Sequence, residues 1–436
     1  MNLQSSKRCV SIVFSVTFLL LATALAQKPP APSAAGATKA PDEIHQIWTA
    51  NVTAMLEKPI PTSSNDSYNM GEELLVPLHA AFIRQDAEWE KEFAEHFHRL
   101  VVTRPTLTDV VTSRLQYLYL ASQFIVLAKN SGRTDLIPEG LPDLLFRELD
   151  DMWFRTPAPT WQHPPFVGMR ERVVYKLDHR NLGKSYFRGI LDQDFYAFAI
   201  AADLRNYYGQ ERAPGEKTIN DVLAVAERTN RQEIVRNSSG GWVFQPGVWT
   251  DHPDYQFAGN SRAMPGMRPA AVRGIGWDSS HFGRWAFFYR SLMDAYPPGS
   301  PQNRFYVDLE NGLNTQFITR ILVPPSADFP CPRLNNYMDG TNGPFRWGYA
   351  TLGPNNGYGP YQLSSALPIG WWAFLESDQS RSLFRKLADQ YPWPEQCLDL
   401  YLGPPGAGHV RTKSELDPNS PHMKFLYLLV RLSADL

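Results

Sequence analysis

The chain has 436 residues, 43% hydrophobic and 20% charged, with a formal net charge of −2 at pH 7. That composition fits a globular protein with a substantial core and excludes a global electrostatic pull toward nucleic acid or anionic membranes. Its three cysteines, of which Cys9 falls in the N-terminal segment, are too few for a thiolate zinc site.

Lys7 and Arg8 precede an apolar run from Val10 to Leu21, and Ala24-Leu25-Ala26 puts small residues where a signal peptidase reads them. The run is shorter than the roughly 20 residues a membrane-spanning helix needs. Residues 1–26 are therefore expected to be a cleaved secretory signal, making the protein secreted or periplasmic with no transmembrane segment left. An uncleaved N-terminal anchor is the alternative. Residues 27–40 read as a flexible Pro/Ala-rich leader. No internal linker divides 41–436, which is expected to be a single domain. In an oxidising compartment a Cys331–Cys397 disulfide is open but not established by the sequence.

Helical periodicity predicts elements near 41–57, 72–100, 107–130, 141–154, 166–178 and 218–236. In the 107–130 segment Val111, Leu115, Leu118, Ser122 and Ile125 share a face, and Gly132 stops the helix. The segment SYFRGILDQDFYAFAIAADLRNYYG is apolar on two faces, one with Leu191, Phe195, Phe198 and Ala202, the other with Ala197, Ala201 and Leu204. Such a helix needs neighbours on both sides. Helices resume at Ser279, with Asp278 or Ser279 as N-cap, and continue near 301–322, 361–375, 378–391 and 421–433. VFQPGVW reads as a short strand edge interrupted by Pro246 and Gly247. The expected fold is all-α, an α/α toroid (an incomplete or six-hairpin ring) with long irregular loops at one mouth. An α-solenoid competes, but no repeat of about 34 or 40 residues favours it. The two long loops are 237–278 and 324–360, whose length marks them as functional.

The first loop carries GWVFQPGVWTDHPDYQFAGN. His252, flanked by Asp251 and Asp254, titrates near neutrality and is the leading proton-transfer candidate. Trp249, Trp277 and Trp347 offer faces on which sugar rings stack, although large aromatics also pack under long loops. Arg262, Arg268 and Arg273 lie in the loop, where guanidinium groups recognise carboxylate or sulfate. Asn260 and Arg346 are further candidates for substrate binding, and His281, in the first turn of the next helix, is a second polar candidate. The second loop is Gly-rich, with Asn335, Asn336, Asn342, Tyr349, Tyr358 and Tyr361 at its tips. No second His lies at metal-ligand spacing from His252, so no metal and no cofactor are expected.

PGVWTDH (246–252) followed by QFAG (256–259) resembles a motif of the α/α-toroid polysaccharide lyases that act on chondroitin, hyaluronan and related uronic-acid polymers. Gly247, Trp249 and Asp251 precede His252, and Phe257 and Gly259 follow it, at that family's spacing. The resemblance covers about 20 residues besides the helical pattern, and implies that His252 is catalytic. Ser261 stands where the family has its catalytic Tyr, its upstream Asn motif has no counterpart, and no β-sandwich domains follow. The phenol is therefore expected from Tyr255, Tyr358 or Tyr361. The implied function is a secreted carbohydrate-active enzyme cleaving an anionic glycan by β-elimination, with polysaccharide as its partner. Two alternatives stand: a glycoside hydrolase using two of Asp251, Asp254, Asp278 and Asp339, and a non-catalytic glycan-binding protein of the envelope.

Overall fold

The computed structural model describes residues 43–209, 215–348, 355–404 and 412–436. The expected signal (1–26), the leader (27–40) and Tyr349 lie outside the described residues. Helix starts follow from short polar side chains. Ser63, Ser300, Ser377 and Ser420 each accept the backbone N–H three residues on, and Asp86 accepts those of Glu88 and Trp89. Each cap satisfies a donor that the first turn leaves open. Pro301 and Pro421 follow their caps directly, where a missing N–H costs nothing. Gly132, at φ 72°, ends Val111–Asn130 and lets the Arg133 N–H reach the Ala128 carbonyl at 2.7 Å.

The described chain is mostly helical, as its sequence predicts, with strands only in three two-stranded antiparallel pairs. Val111–Asn130 and Asp192–Tyr208 are buried along nearly their whole length and pack on each other. Ser64–Glu73 covers the other side of the first, while Arg284–Asp294 and Glu216–Glu233 flank the second. The C-terminal helix Pro421–Ser433 packs on Glu43–Trp48, Leu75–Ile83 and Asp378–Asp389. Arg84 Nε donates to Asp435 at 2.8 Å on that seam. The two ends of the described chain thus meet. Among the described residues no helix is long and apolar enough to cross a membrane. Cys331 and Cys397 form a disulfide with Cα atoms 6.1 Å apart.

Three segments depart most from the periodicity. The 72–100 segment is three helices, Ser64–Glu73, Leu75–Ile83 and Ala87–Thr103. Ser63 starts the first early, Pro77 belongs to the opening turn of the second, and Gln85 at φ 55° with Asp86 restarts the third. The 361–375 helix is instead two 3-10 turns, Gln362–Ala366 and Trp371–Leu375, separated at Pro368 and at Gly370 with φ 90°. Glu216–Glu233 stops short because Ile234–Arg236 leaves as a strand and pairs with Trp242–Phe244.

Between the central helices, Asp203 accepts from Ser122 Oγ at 2.6 Å and Gln123 Nε2 at 2.8 Å. Burial pushes its carboxyl up to about 7, against the pull of those hydrogen bonds. The folded state therefore keeps a proton that the unfolded chain releases from about pH 4 upward. The associated stability is full below that range and is lost as pH rises through about 7. Asp203→Asn removes this titration. Relative to the variant, wild-type stability in urea should fall between about pH 4 and pH 8, and parallel profiles would contradict the assignment.

Candidate functional site

The two long loops meet, and backbone geometry holds them. Met338 N–H donates to the Trp277 carbonyl at 2.8 Å, Ser279 N–H to that of Asn336 at 2.9 Å, and Arg346 N–H to that of Asp254 at 2.8 Å. Gly343 lies so close to the first loop that a Cβ there would sit 1.8 Å from the Ala258 carbonyl oxygen. Only a residue without a side chain fits that crossing. Side chains reinforce it. Arg346 Nε meets Asp254 Oδ2 at 3.0 Å with both groups buried, and Asp339 Oδ1 accepts the Gly276 N–H at 3.1 Å.

His252 is partly exposed at one end of this junction. Its ring is surrounded by Tyr186 at 4.7 Å, Trp249 at 5.2 Å, Tyr255 at 5.9 Å and Trp161 at 6.1 Å between centroids, all edge-on. The Asp254 N–H donates to Nδ1 at 3.2 Å. A backbone amide can only donate, so Nδ1 must be the acceptor and the neutral ring carries its proton on Nε2. Burial holds the pKa below its ordinary value; Asp254 raises it, Arg346 lowers it and Asp251 raises it. His252 is thus set as a neutral Nε2–H donor.

His281 is set the opposite way. Its Nδ1 lies 2.8 Å from both oxygens of Asp278, which can only accept, so Nδ1 carries the proton and Nε2 is the acceptor nitrogen of the neutral ring. Asp278 also caps the turn Ser279–Phe282 through the His281 N–H at 3.0 Å, as expected, and accepts from Ser280 Oγ at 2.6 Å. Burial opposes its charge, but His281, the backbone N–H and Ser280 together keep its carboxyl below the usual range. Tyr255 links the two histidines. Its ring lies against His252, and its hydroxyl donates to Asp278 Oδ2 at 3.0 Å.

The remaining predicted residues fall into three groups. Trp249, Trp277 and Trp347 are buried. Trp249 stacks on Tyr255 at 5.4 Å and meets Trp277 edge-on at 4.8 Å, so these faces are used inside the loop. Tyr255 is also buried, and burial followed by the Asp278 charge raises its phenol well above the ordinary value, which makes it a spacer between the histidines. Tyr358 packs on Phe345 at 6.1 Å and Tyr361 lies under Arg333 at 4.4 Å, so neither is among the rings that contact His252. Asn260 Nδ2 donates to the Phe257 and Arg268 carbonyls, both at 3.1 Å, and so shapes its own loop. Arg262, Arg268 and Arg273 are exposed, whereas Arg346 is spent on Asp254.

All four carboxylates considered for hydrolysis are engaged. Asp251 binds the Ser185 N–H at 3.1 Å and the Ser185 hydroxyl, Asp254 holds Arg346, Asp278 holds His281, and Asp339 binds Gly276 and the Thr341 hydroxyl at 2.5 Å.

Trp161 and Tyr186 escaped the sequence reading. Trp161 stands at the turn of the short hairpin Ala158–Thr160 with His163–Phe166, and Tyr186 in the 3-10 turn Ser185–Arg188. Both are partly exposed, and they meet edge-on at 5.2 Å. Asp251 brings the second turn in by binding Ser185, and Gly189 allows Trp249 to lie on it, since a Cβ there would fall 2.8 Å from the indole. The one local signal was a Trp in a Pro-rich stretch between helices. Comparison with protein-family models, curated proteins and solved structures finds no match to the chain.

Proposed function

We propose that the protein is an exported carbohydrate-active enzyme that cleaves an anionic glycan by β-elimination, on a helical ring of the α/α-toroid type. The carrying observation is the pair of histidines with opposite proton placement, His252 as donor and His281 as acceptor, at the two ends of Tyr255. The N-terminal signal pattern and the His252 motif support export and the lyase-like reading. The packing of the last helix on the first supports a closed ring.

Elimination across a uronic acid needs an acceptor for the C5 proton and a donor for the oxygen leaving C4. The C–H electron pair becomes the new double bond, the C4–O bond breaks, and no water is consumed. In this reading Nε2 of His281, left as the acceptor nitrogen by the Asp278 contact, takes the C5 proton. Nε2–H of His252 hydrogen-bonds the oxygen leaving C4 and stabilises its charge until solvent supplies its proton, and the His281 proton returns to solvent to close the cycle. Trp161 and Tyr186 offer a partly exposed aromatic platform for the sugar faces. The engagement of all four loop carboxylates weighs against the hydrolase alternative, which needs one acid and one base carboxylate free to reach substrate.

The test is a screen of uronic-acid polymers. Chain cleavage with ultraviolet absorbance from an unsaturated uronate is expected. New reducing ends without that absorbance point to hydrolysis, and binding without cleavage points to a glycan-binding protein; either outcome overturns the proposal.

A further inference from the structure

We infer that a cleft beside His252 is an oxyanion subsite that holds a single charged sugar unit of the glycan, reading its carboxylate or sulfate group. This rests on the glycan reading above and adds where the charge is read. The cleft has a volume of about 330 Å³, near the lower end for ligand sites and sized for one sugar residue rather than a long segment. Arg180, Arg188 and Arg273 converge on it, with Ser185 and Thr250 beside them and Gly247 and Gly274 in its wall.

The guanidinium groups are differently prepared. Glu233 is buried and holds Arg188 through both oxygens, at 3.0 and 2.9 Å, and Arg180 at 2.9 Å. Gln245 Nε2 also donates to Glu233 at 3.0 Å, so the carboxylate is a fixed clamp. One carboxylate thus serves two arginines, and Nε of Arg188 is buried with no hydrogen-bond partner. Arg273 is exposed, and among the described residues it makes no ion pair. The balance is positive, and planar guanidinium groups suit carboxylate or sulfate through paired hydrogen bonds. Gly247 and Gly274, at φ 81° and 79°, adopt left-handed backbone that leaves this wall without side chains.

Position ties the cleft to the reacting site. Ser185 lines the cleft and binds Asp251, the neighbour of His252, while the next residue, Tyr186, touches the His252 ring. A sugar held by the arginines therefore sits beside the bond presented to His252.

The test uses calorimetric titration of the full protein with three probes. An unsulfated hyaluronan hexasaccharide carries carboxylates only, a chondroitin sulfate hexasaccharide carries carboxylates and sulfates, and maltohexaose is neutral. Wild type should bind the charged probes in preference to maltohexaose. Arg180→Gln/Arg273→Glu changes two exposed side chains without setting a like charge against Glu233, which keeps Arg188 and Gln245, and an unchanged urea midpoint will establish that it folds. At least a tenfold loss of affinity is expected. Loss for both charged probes assigns the carboxylate, and loss for the sulfated probe alone assigns the sulfate. Equal binding by variant and wild type, or no preference over maltohexaose, overturns the subsite. Elimination with an unchanged KM in the double variant also removes the cleft, and leaves the histidine reading standing. Charge-dependent binding without any cleavage does the reverse.

Discussion

Replacing Arg346 with alanine is expected to destabilise the protein by about 3–5 kcal/mol, the usual cost of removing one partner from a buried ion pair. Arg346 and Asp254 are both buried and meet at 3.0 Å. Oδ1 of Asp254 already lacks a hydrogen-bond partner, so without Arg346 its charge would be stranded. The damage should extend past stability, because the backbone N–H of Asp254 is what fixes the proton on Nε2 of His252. Asp254→Asn/Arg346→Ala removes the stranded charge and should recover part of the loss. Urea denaturation of both variants decides the point. If the single variant is as stable as wild type, the Asp254–Arg346 pair does not hold the loops together.

That pair also marks where sequence reading stops. Local signals carried the helices well. The 141–154 and 421–433 segments were predicted with their observed bounds, and the two-faced apolar segment lies where such a helix must, in the centre. Asp278 was legible as a cap because capping involves only the next few residues. His252 stood out by residue type within an aperiodic stretch. Arg346 and Asp254 lie 92 residues apart, and nothing within either loop specifies the other as its partner. The same limit hid Tyr186, which reaches His252 only because Asp251 binds Ser185 across 66 residues. It also made Tyr255 look like a reacting phenol, since part of the burial that raises its pKa comes from rings of the second loop, Tyr337 at 5.6 Å and Phe345 at 5.2 Å, besides its near neighbour Trp249.

The second large effect concerns proton placement. Asp278→Asn should lower the rate of glycan cleavage by about 10²–10⁴-fold, the range general acid–base catalysis supplies. Asparagine caps helices about as well as aspartate, so the turn at Ser279–Phe282 should persist with little change in stability. What is lost is a charged acceptor for Nδ1–H of His281, the contact that places the proton on Nδ1 and leaves Nε2 as the acceptor nitrogen. His252→Ala should cost a similar factor by removing the donor. The two losses should not multiply in the double variant, because both rings serve one reaction. An Asp278→Asn protein that stays folded and fully active would show that the tautomer of His281 has no part in the chemistry.

The most direct test of the central claim is the fate of solvent oxygen. Cleavage of a uronic-acid polymer in ¹⁸O-labelled water, followed by mass spectrometry of the products, separates elimination from hydrolysis. Elimination by the His252–His281 pair predicts product masses that add up to that of the substrate with no water gained, once oxygen exchange at reducing ends is subtracted with a control oligosaccharide, and no such products from His252→Ala. Fragments that gain one labelled water at the new end would contradict it.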